Sequence, residues 1–296
     1  NLPESVDQKG RYTADYARFC LMKHCLNEGD HMDGWYEEGL KMFEELNNGK
    51  YGLLTTGTAE APNPFLSVFS YFNKWNKEII MAVSNDTNGG TTYAAGNFFP
   101  HLMAFMPADV SPVDNTGAKT PLWRTGWAQY YNVAPDFYKT YQTTDIRRDA
   151  VLDNYWVKVD SGLPTKKITA SDIGVKWDGF LIMKWPYETD TSYQGHDWPL
   201  ARWADVLLMK AELETRISHS APSSDAIECV NQVRRRAGIS ELSDSETASY
   251  DAFMTALLAE RGRLSRDMRG DRQRPLEPAH VLLEGRVEVC RRSRAD

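Results

Sequence analysis

The side chains that could do chemistry are spread thinly along this chain. Its six histidines stand at 24, 31, 101, 196, 219 and 280, with no His-Glu-x-x-His pair, Gly-x-Ser-x-Gly elbow or phosphate-cradling glycine loop among them. Two carboxylate pairs, Asp86 with Asp109 and Asp145 with Asp149, could in principle flank a glycosidic bond as acid and base or nucleophile. Among 41 acidic residues, however, such pairs arise without purpose, so no catalytic residue is expected. Asp86-Thr87-Asn88-Gly89 offers turn oxygens to calcium but lacks the acidic residue that completes an EF-hand loop, and it reads first as an Asx turn; no cofactor is expected. The four cysteines, at 20, 25, 229 and 290, form no Cys-x-x-Cys pair, which leaves zinc clusters and a disulfide framework without support.

Aromatic residues are the stronger signal. Nine Trp and 14 Tyr supply flat apolar faces that can fill a core or receive a sugar ring. One cluster, Phe98, Phe99, Trp123, Trp127, Tyr130 and Tyr131, lies in a stretch rich in Gly, Pro, Asn, Asp and Thr, with Arg124, Asn132 and Asp136 able to add hydrogen bonds. Loops held by a rigid scaffold are where binding residues tend to sit.

The scaffold reads as helical. Thr13 can cap a helix with Tyr16, Phe19 and Cys20 on one side and Ala14, Ala17 and Leu21 on the other; Asp33 can cap a second, with Trp35, Met42 and Leu46 on one stripe. Residues 55–198 lose the helical period and contain one plausible strand, Glu78 to Val83. Helical character returns at Pro199: Trp203, Val206, Leu207, Met209 and Leu213 make a helix apolar on most sides and therefore buried. In the next helix, Ala226, Val230, Val233 and Ala237 share one face, Ser224 can cap the start, Arg234, Arg235 and Arg236 suit the negative end of the dipole, and Gly238 can close it in a left-handed turn. A last helix runs around Asp251 to Arg261. Residues 12–48 and 200–237 are expected to form two antiparallel helix pairs packed as repeat-like units, with Trp203, Leu207, Val230 and Val233 nearly buried. The fold class is thus mainly α: tetratricopeptide-like helix pairs in an α-α superhelix, with a loop-rich insertion carrying a few short strands.

The wording of several segments adds to this. Arg202-Trp203-Ala204-Asp205-Val206-Leu207-Leu208-Met209-Lys210-Ala211-Glu212 resembles the R-Y-A-E-V-L-L-M-x-A-E segment of the SusD/RagB family, and Ala226-Ile227 through Asn231-Gln232-Val233-Arg234-Arg235-Arg236-Ala237-Gly238 resembles that family's A-I-x-x-I-N-x-V-R-x-R-A-G segment. The stretch from Trp123 to Tyr138, followed by Asp145-Ile146-Arg147-Arg148, is similar to W-x-x-x-x-P-T-x-x-L-x-x-x-Y with its D-x-R-R ending, with Ala134-Pro135-Asp136 standing where the family has Pro then Thr. Leu257-Leu258-Ala259-Glu260-Arg261-Gly262-Arg263 resembles L-x-x-E-R-x-R-E-L. The resemblance implies a bacterial outer-membrane lipoprotein that binds glycans outside the cell and pairs with a SusC-like TonB-dependent transporter, with much of the glycan site supplied by the family's N-terminal part.

On that reading, residues 1–264 are one domain lacking its N-terminal part: 1–54 a helix pair, 55–198 the loop-rich insertion, 199–264 a helix pair plus a helix. The stretch 265–296 departs from the family's W-F-D-L-x-R-W phrase and has no clear helical period; a reading-frame shift is one explanation, since codons for Arg274-Pro275-Leu276-Glu277 can be chosen so that the neighbouring frame reads close to that phrase. The opening Asn1-Leu2-Pro3-Glu4-Ser5 has no signal-peptide pattern and no lipid-carrying cysteine, so the export signal and anchor are expected to lie outside this sequence. Over 296 residues the net charge is −7, unlike the basic face of a nucleic-acid binder, and no apolar run reaches the roughly 20 residues that span a bilayer. Contact with a membrane is expected only through such an anchor.

Overall fold

The computed structural model describes residues 2–85, 112–113, 118, 133–153, 155–157, 166–168, 180–186 and 195–265. Its elements in order are α1 (Ala14–Glu28), α2 (Trp35–Leu46), α3 (Pro64–Ser67), β1 (Ile79–Val83), β2 (Pro112–Val113), α4 (Pro135–Tyr138), a 3-10 helix at Ile146–Ala150, β3 (Val151–Leu152), β4 (Tyr155–Val157), β5 (Lys166–Ile168), β6 (Leu181–Ile182), β7 (Trp198–Arg202), α5 (Trp203–Ser218), α6 (Ser224–Arg236), α7 (Asp244–Thr247) and α8 (Tyr250–Ser265). The two helix pairs are present where periodicity puts them. Helix α5 is the hub: it packs on α1, α2, α6 and α8. Its Ala204, Val206, Leu208, Met209, Ala211 and Leu213 are essentially without solvent contact, and Trp203, Leu207, Val230 and Val233 are buried as expected. A helix that is apolar all round needs neighbours on every side, and here it has them. Between the pairs the backbones run close: a Cβ on Gly39 of α2 would stand 3.0 Å from both Leu213 methyls and 3.2 Å from Cys25 Cβ.

The short strands form antiparallel pieces: β1 with β7, β2 with β4 and β5, and β3 with β6. The first of these corrects the expected start of the second helix pair. Leu200, Ala201 and Arg202 are strand, pairing Ile79 with Arg202 and Val83 with Trp198, and the helix begins only at Trp203. Pro199 sits on this two-stranded edge, where its missing N–H costs little, and the Trp203 N–H donates to the Glu78 carbonyl at 2.8 Å. Strand pairing, which is not visible in a helical period, thus decides where α5 starts.

Two caps also differ. The N-cap of α2 is Gly34, in left-handed backbone at φ 79°, and the Asp33 side chain makes no cap. The N-cap of α6 is Ser223, whose hydroxyl accepts from Ala226 N–H at 3.0 Å, so Ser224 is the first helical residue instead. Thr13 caps α1 as expected, and Gly238 closes α6 at φ 71°. On α1 the buried face is Phe19, Met22, Cys25 and Leu26; Cys20 is exposed.

That face also buries a charge. Asp15 accepts from Lys50 Nζ at 2.5 Å, Tyr51 Oη at 2.8 Å and Arg18 Nη1 at 2.9 Å. Burial pushes its carboxyl up, but these donors outweigh burial and hold it below the ordinary 3.8. A folded pKa below the unfolded one stabilises fully above that ordinary value, and the contribution is lost as pH falls through the folded value. Asp15→Asn should therefore lose less stability than the parent between pH 7 and pH 3 in urea melts; equal losses would show that Asp15 carries no such linkage.

Candidate functional site

The aromatic candidates Phe98, Phe99, Trp123, Trp127, Tyr130 and Tyr131, with Arg124 and Asn132, lie outside the described residues, as do Asp86, Asp109 and the Asp86–Gly89 turn. The described structure begins again at Val133, immediately after them, and the segment that follows forms an open cleft of about 460 Å³.

The cleft is built from the turn that follows α4. Pro135 opens α4 at a position where its fixed φ suits the first helical residue. Val133 pairs with Phe180 through two backbone hydrogen bonds of 3.0 and 2.9 Å, and Tyr138 stands edge-on to Phe180, centroids 5.1 Å apart. Asp145 then caps the 3-10 helix, taking Arg147 N–H at 2.9 Å. Its two oxygens also take Arg147 Nε at 2.8 Å and Nη2 at 2.7 Å, a bidentate clamp. Arg147 donates onward to Glu260 of α8 at 2.5 Å. Arg263 Nη1 reaches the other Glu260 oxygen at 3.3 Å, and Arg234 approaches it at 3.9 Å. Burial works against the Arg147 charge, but the carboxylates of Asp145 and Glu260 hold its pKa above the usual arginine value.

Two further ties fix the same turn. Ile146 N–H donates to the Ala237 carbonyl at 3.0 Å, beside the left-handed Gly238, where a Cβ would come within 3.3 Å of the Thr144 carbonyl. Asn63, the N-cap of α3, gives its amide to Ile146 O at 2.8 Å and to Asp149 Oδ2 at 2.9 Å. The outward side of the turn is left for the cleft, with Thr143, Thr144, Arg148, Asp149 and Asp153 around it. Arg148 lies over the Tyr138 ring at 4.5 Å. Burial, with the Asp153 carboxylate beside it, raises the Tyr138 phenol above its ordinary value, so it stays protonated and polar at neutral pH.

What can this arrangement do? Asp145, named above with Asp149 as a possible acid–base pair, is committed on both oxygens to Arg147, so its role is structural. Asp149 is exposed and partly taken by Asn63. The cleft offers hydrogen-bond acceptors, hydroxyls and one planar donor, a set suited to holding polar groups in place. Among the described residues no cluster of three or more His, Cys, Asp or Glu could hold a metal ion, and no helix is long and apolar enough to cross a membrane. The three described cysteines are free, with Cys25 and Cys229 buried.

Periodicity could not reveal these buried charges, but a signal was present: Arg147, Glu260, Arg234 and Arg236 all fall within the phrases that resemble family segments. Glu212, in the first of them, pairs with Arg216 at 2.9 Å and also with Arg261.

Comparison with known proteins gives the same picture of the fold. Residues 77–263 match the model of the SusD family. A SusD superfamily protein from Parabacteroides distasonis superposes with a TM-score of 0.64 at 19% identity, covering 88% of this chain and 52% of its own. Surface glycan-binding protein A from Bacteroides uniformis gives 0.62 at 21%, covering 91% and 50%. Its namesake from Bacteroides thetaiotaomicron, in complex with laminarihexaose, gives 0.60 at 20%, covering 90% and 55%. The chain therefore spans about half the length of these solved structures. No curated protein matches it in sequence.

Proposed function

The chain belongs to the SusD family, and on that premise we propose that it takes part in non-covalent glycan capture at a bacterial outer surface, delivering the glycan to a SusC-like TonB-dependent transporter, with a lipid anchor as its tie to the outer membrane. The observation that carries this is the likeness over most of the chain to surface glycan-binding proteins, one of them with laminarihexaose bound. The mechanism is capture without a chemical step. Rings from Trp123, Trp127, Tyr130, Tyr131, Phe98 and Phe99 supply stacking faces, and Arg124 and Asn132 supply rim hydrogen bonds. The described framework ends at the edge of this segment, at Val133, which Phe180 anchors.

Incubation with oligosaccharides separates this reading from its rivals. Retardation in affinity gels without cleavage supports capture; product formation would identify a glycoside hydrolase; neither result would leave a helical-repeat adaptor that binds protein. Trp123→Ala and Trp127→Ala should each weaken oligosaccharide binding by about 1 kcal/mol, the scale of an aromatic contact, with an unchanged thermal melt. If both variants bind like the parent, the stacking surface lies elsewhere.

A further inference from the structure

We propose that the loop of Tyr71, Phe72 and Trp75 is a stacking platform for one pyranose ring of a glycan, with Phe72 as the ring the sugar lies on. The inference rests on the capture function proposed above. It adds a binding position between α3 and β1, within the described residues and distinct from the rings at 98–131.

The phrase Tyr71-Phe72-Asn73-Lys74-Trp75 leads from α3 to β1, and its first three residues make one 3-10 turn. Phe72 is 53% exposed. A single exposed ring means little by itself, but this one sits in a loop built to hold it. Tyr71 stands edge-on to Phe72, with centroids 5.4 Å apart and planes at 83°. Trp75 has a φ of 52°. A bulky residue in left-handed backbone persists only where its surroundings over-determine it. Here they do. Asn76 Nδ2 donates to Val68 O at 3.2 Å and Asn73 O at 2.9 Å, while its Oδ1 accepts from Glu78 N–H at 3.1 Å. Asn73 Nδ2 donates to Ser67 O at 3.3 Å and to Ser67 Oγ at 3.0 Å. Ser70 Oγ accepts from Phe72 N–H at 3.2 Å, and Lys74 Nζ donates to Asn85 O at 2.6 Å. The loop is thus ordered before anything binds, which lowers the cost of binding.

The faces and edges of the rings then assign their parts. Lys74 Nζ lies 4.8 Å from the Tyr71 centroid and Lys9 Nζ lies 5.4 Å from that of Trp75, so each of these rings has a cation on one face. Phe72 has none among the described residues and is the most exposed of the three. The Tyr71 hydroxyl and the Trp75 indole N–H make no hydrogen bond among the described residues, yet neither is shut off from solvent. A pyranose presents C–H groups on its faces and hydroxyls on its rim. An open ring with a free indole donor and a free donor–acceptor hydroxyl in the same loop answers both. A protein partner fits less well. A stable interface takes about 800 Å² from each side, and one exposed phenyl ring offers at most about 200 Å².

The test uses the full 296-residue chain in calorimetric titrations with neutral gluco-, xylo- and manno-hexaoses. At least one should bind. For that sugar, Phe72→Ala should weaken binding about fivefold, the scale of one aromatic contact, and Phe72→Trp should restore it. Tyr71→Phe removes only a hydroxyl, and Trp75→Phe keeps a ring while dropping the indole N–H; each should weaken binding roughly two- to fivefold. Thermal melts report folding, and Phe72→Ala, at an exposed position, should melt like the parent. If all four variants fold and bind like the parent, the platform is overturned while glycan capture stands. A parent that self-associates in sedimentation, beside a monomeric Phe72→Ala variant, would make the ring a contact between copies and would overturn the platform too. No binding by any hexaose would overturn the capture reading itself, and the platform with it.

Discussion

Replacing Arg147 with Met should destabilise the protein by about 3–5 kcal/mol, because it takes from the buried Asp145 the guanidinium that clamps both its oxygens and leaves Glu260 only its weaker contacts to Arg263 and Arg234. The Arg147 side chain is 1% exposed, and its partners Asp145 and Glu260 are 0% exposed. Domains of this kind are held by about 5–15 kcal/mol in all, so such a loss is a large fraction of the whole. Arg147→Lys should recover only part of the loss, since an ammonium cannot make the bidentate contact to Asp145 while also reaching Glu260. Urea melts at pH 7 read both variants. A loss under 1 kcal/mol for Arg147→Met would show that the network contributes no more than a surface pair does.

This network also shows where sequence reading stops. The helices were legible because their cause is local: an apolar residue every three or four positions needs no knowledge of its partner, and α1, α2, α5 and α6 lie where that spacing puts them. Cap residues were legible only to within a residue, since Ser223 and Ser224 offer the same hydroxyl and the backbone chooses between them. The start of α5 was misplaced because β7 is held by β1, over 110 residues earlier in the chain, and by nothing in its own spacing. Arg147 and Glu260 are 113 residues apart, and Glu78 and Arg236 are 158 apart. Charged residues inside an apolar pattern can be noticed in a sequence, but their partners are set by the tertiary fold. The cleft was hidden for a similar reason. A 3-10 turn has no period to detect, and its buried residues, Asp145 and Arg147, stand directly beside the less buried Arg148 and the exposed Asp149 in a phrase rich in charge. The aromatic segment that sequence singled out for binding lies outside the described residues, and its role stands as proposed.

Phe65→Ala should cost about 3–5 kcal/mol, and the more informative variant is Phe65→Leu. Phe65 is fully buried on α3, edge-on to Phe69 at 5.4 Å. Truncation to alanine leaves a cavity where the loops meet the helices. Leucine keeps much of the volume, so packing alone predicts a loss of about 1.5 kcal/mol or less. The ring, however, has a second partner. The Arg236 guanidinium lies 5.4 Å from its centroid, fully buried, with Nη1 on both oxygens of Glu78 at 3.2 and 2.9 Å. Its Nε and Nη2 make no hydrogen bond. A desolvated cation over a ring face gains about 2 kcal/mol, and here the ring stands where hydrogen-bond acceptors are absent. Leucine cannot replace that attraction, so Phe65→Leu should cost about 2–3 kcal/mol in the parent. In a background carrying both Glu78→Gln and Arg236→Met, the nearer cation is gone, leaving the ring its packing and Lys184 Nζ at 5.9 Å, and the same leucine substitution should cost less. The difference between the two backgrounds, about 1–2 kcal/mol, measures the ring–guanidinium coupling. An equal cost in both would mean that Phe65 serves the core by volume alone, and that the buried Arg236 is held by Glu78 without help from the ring.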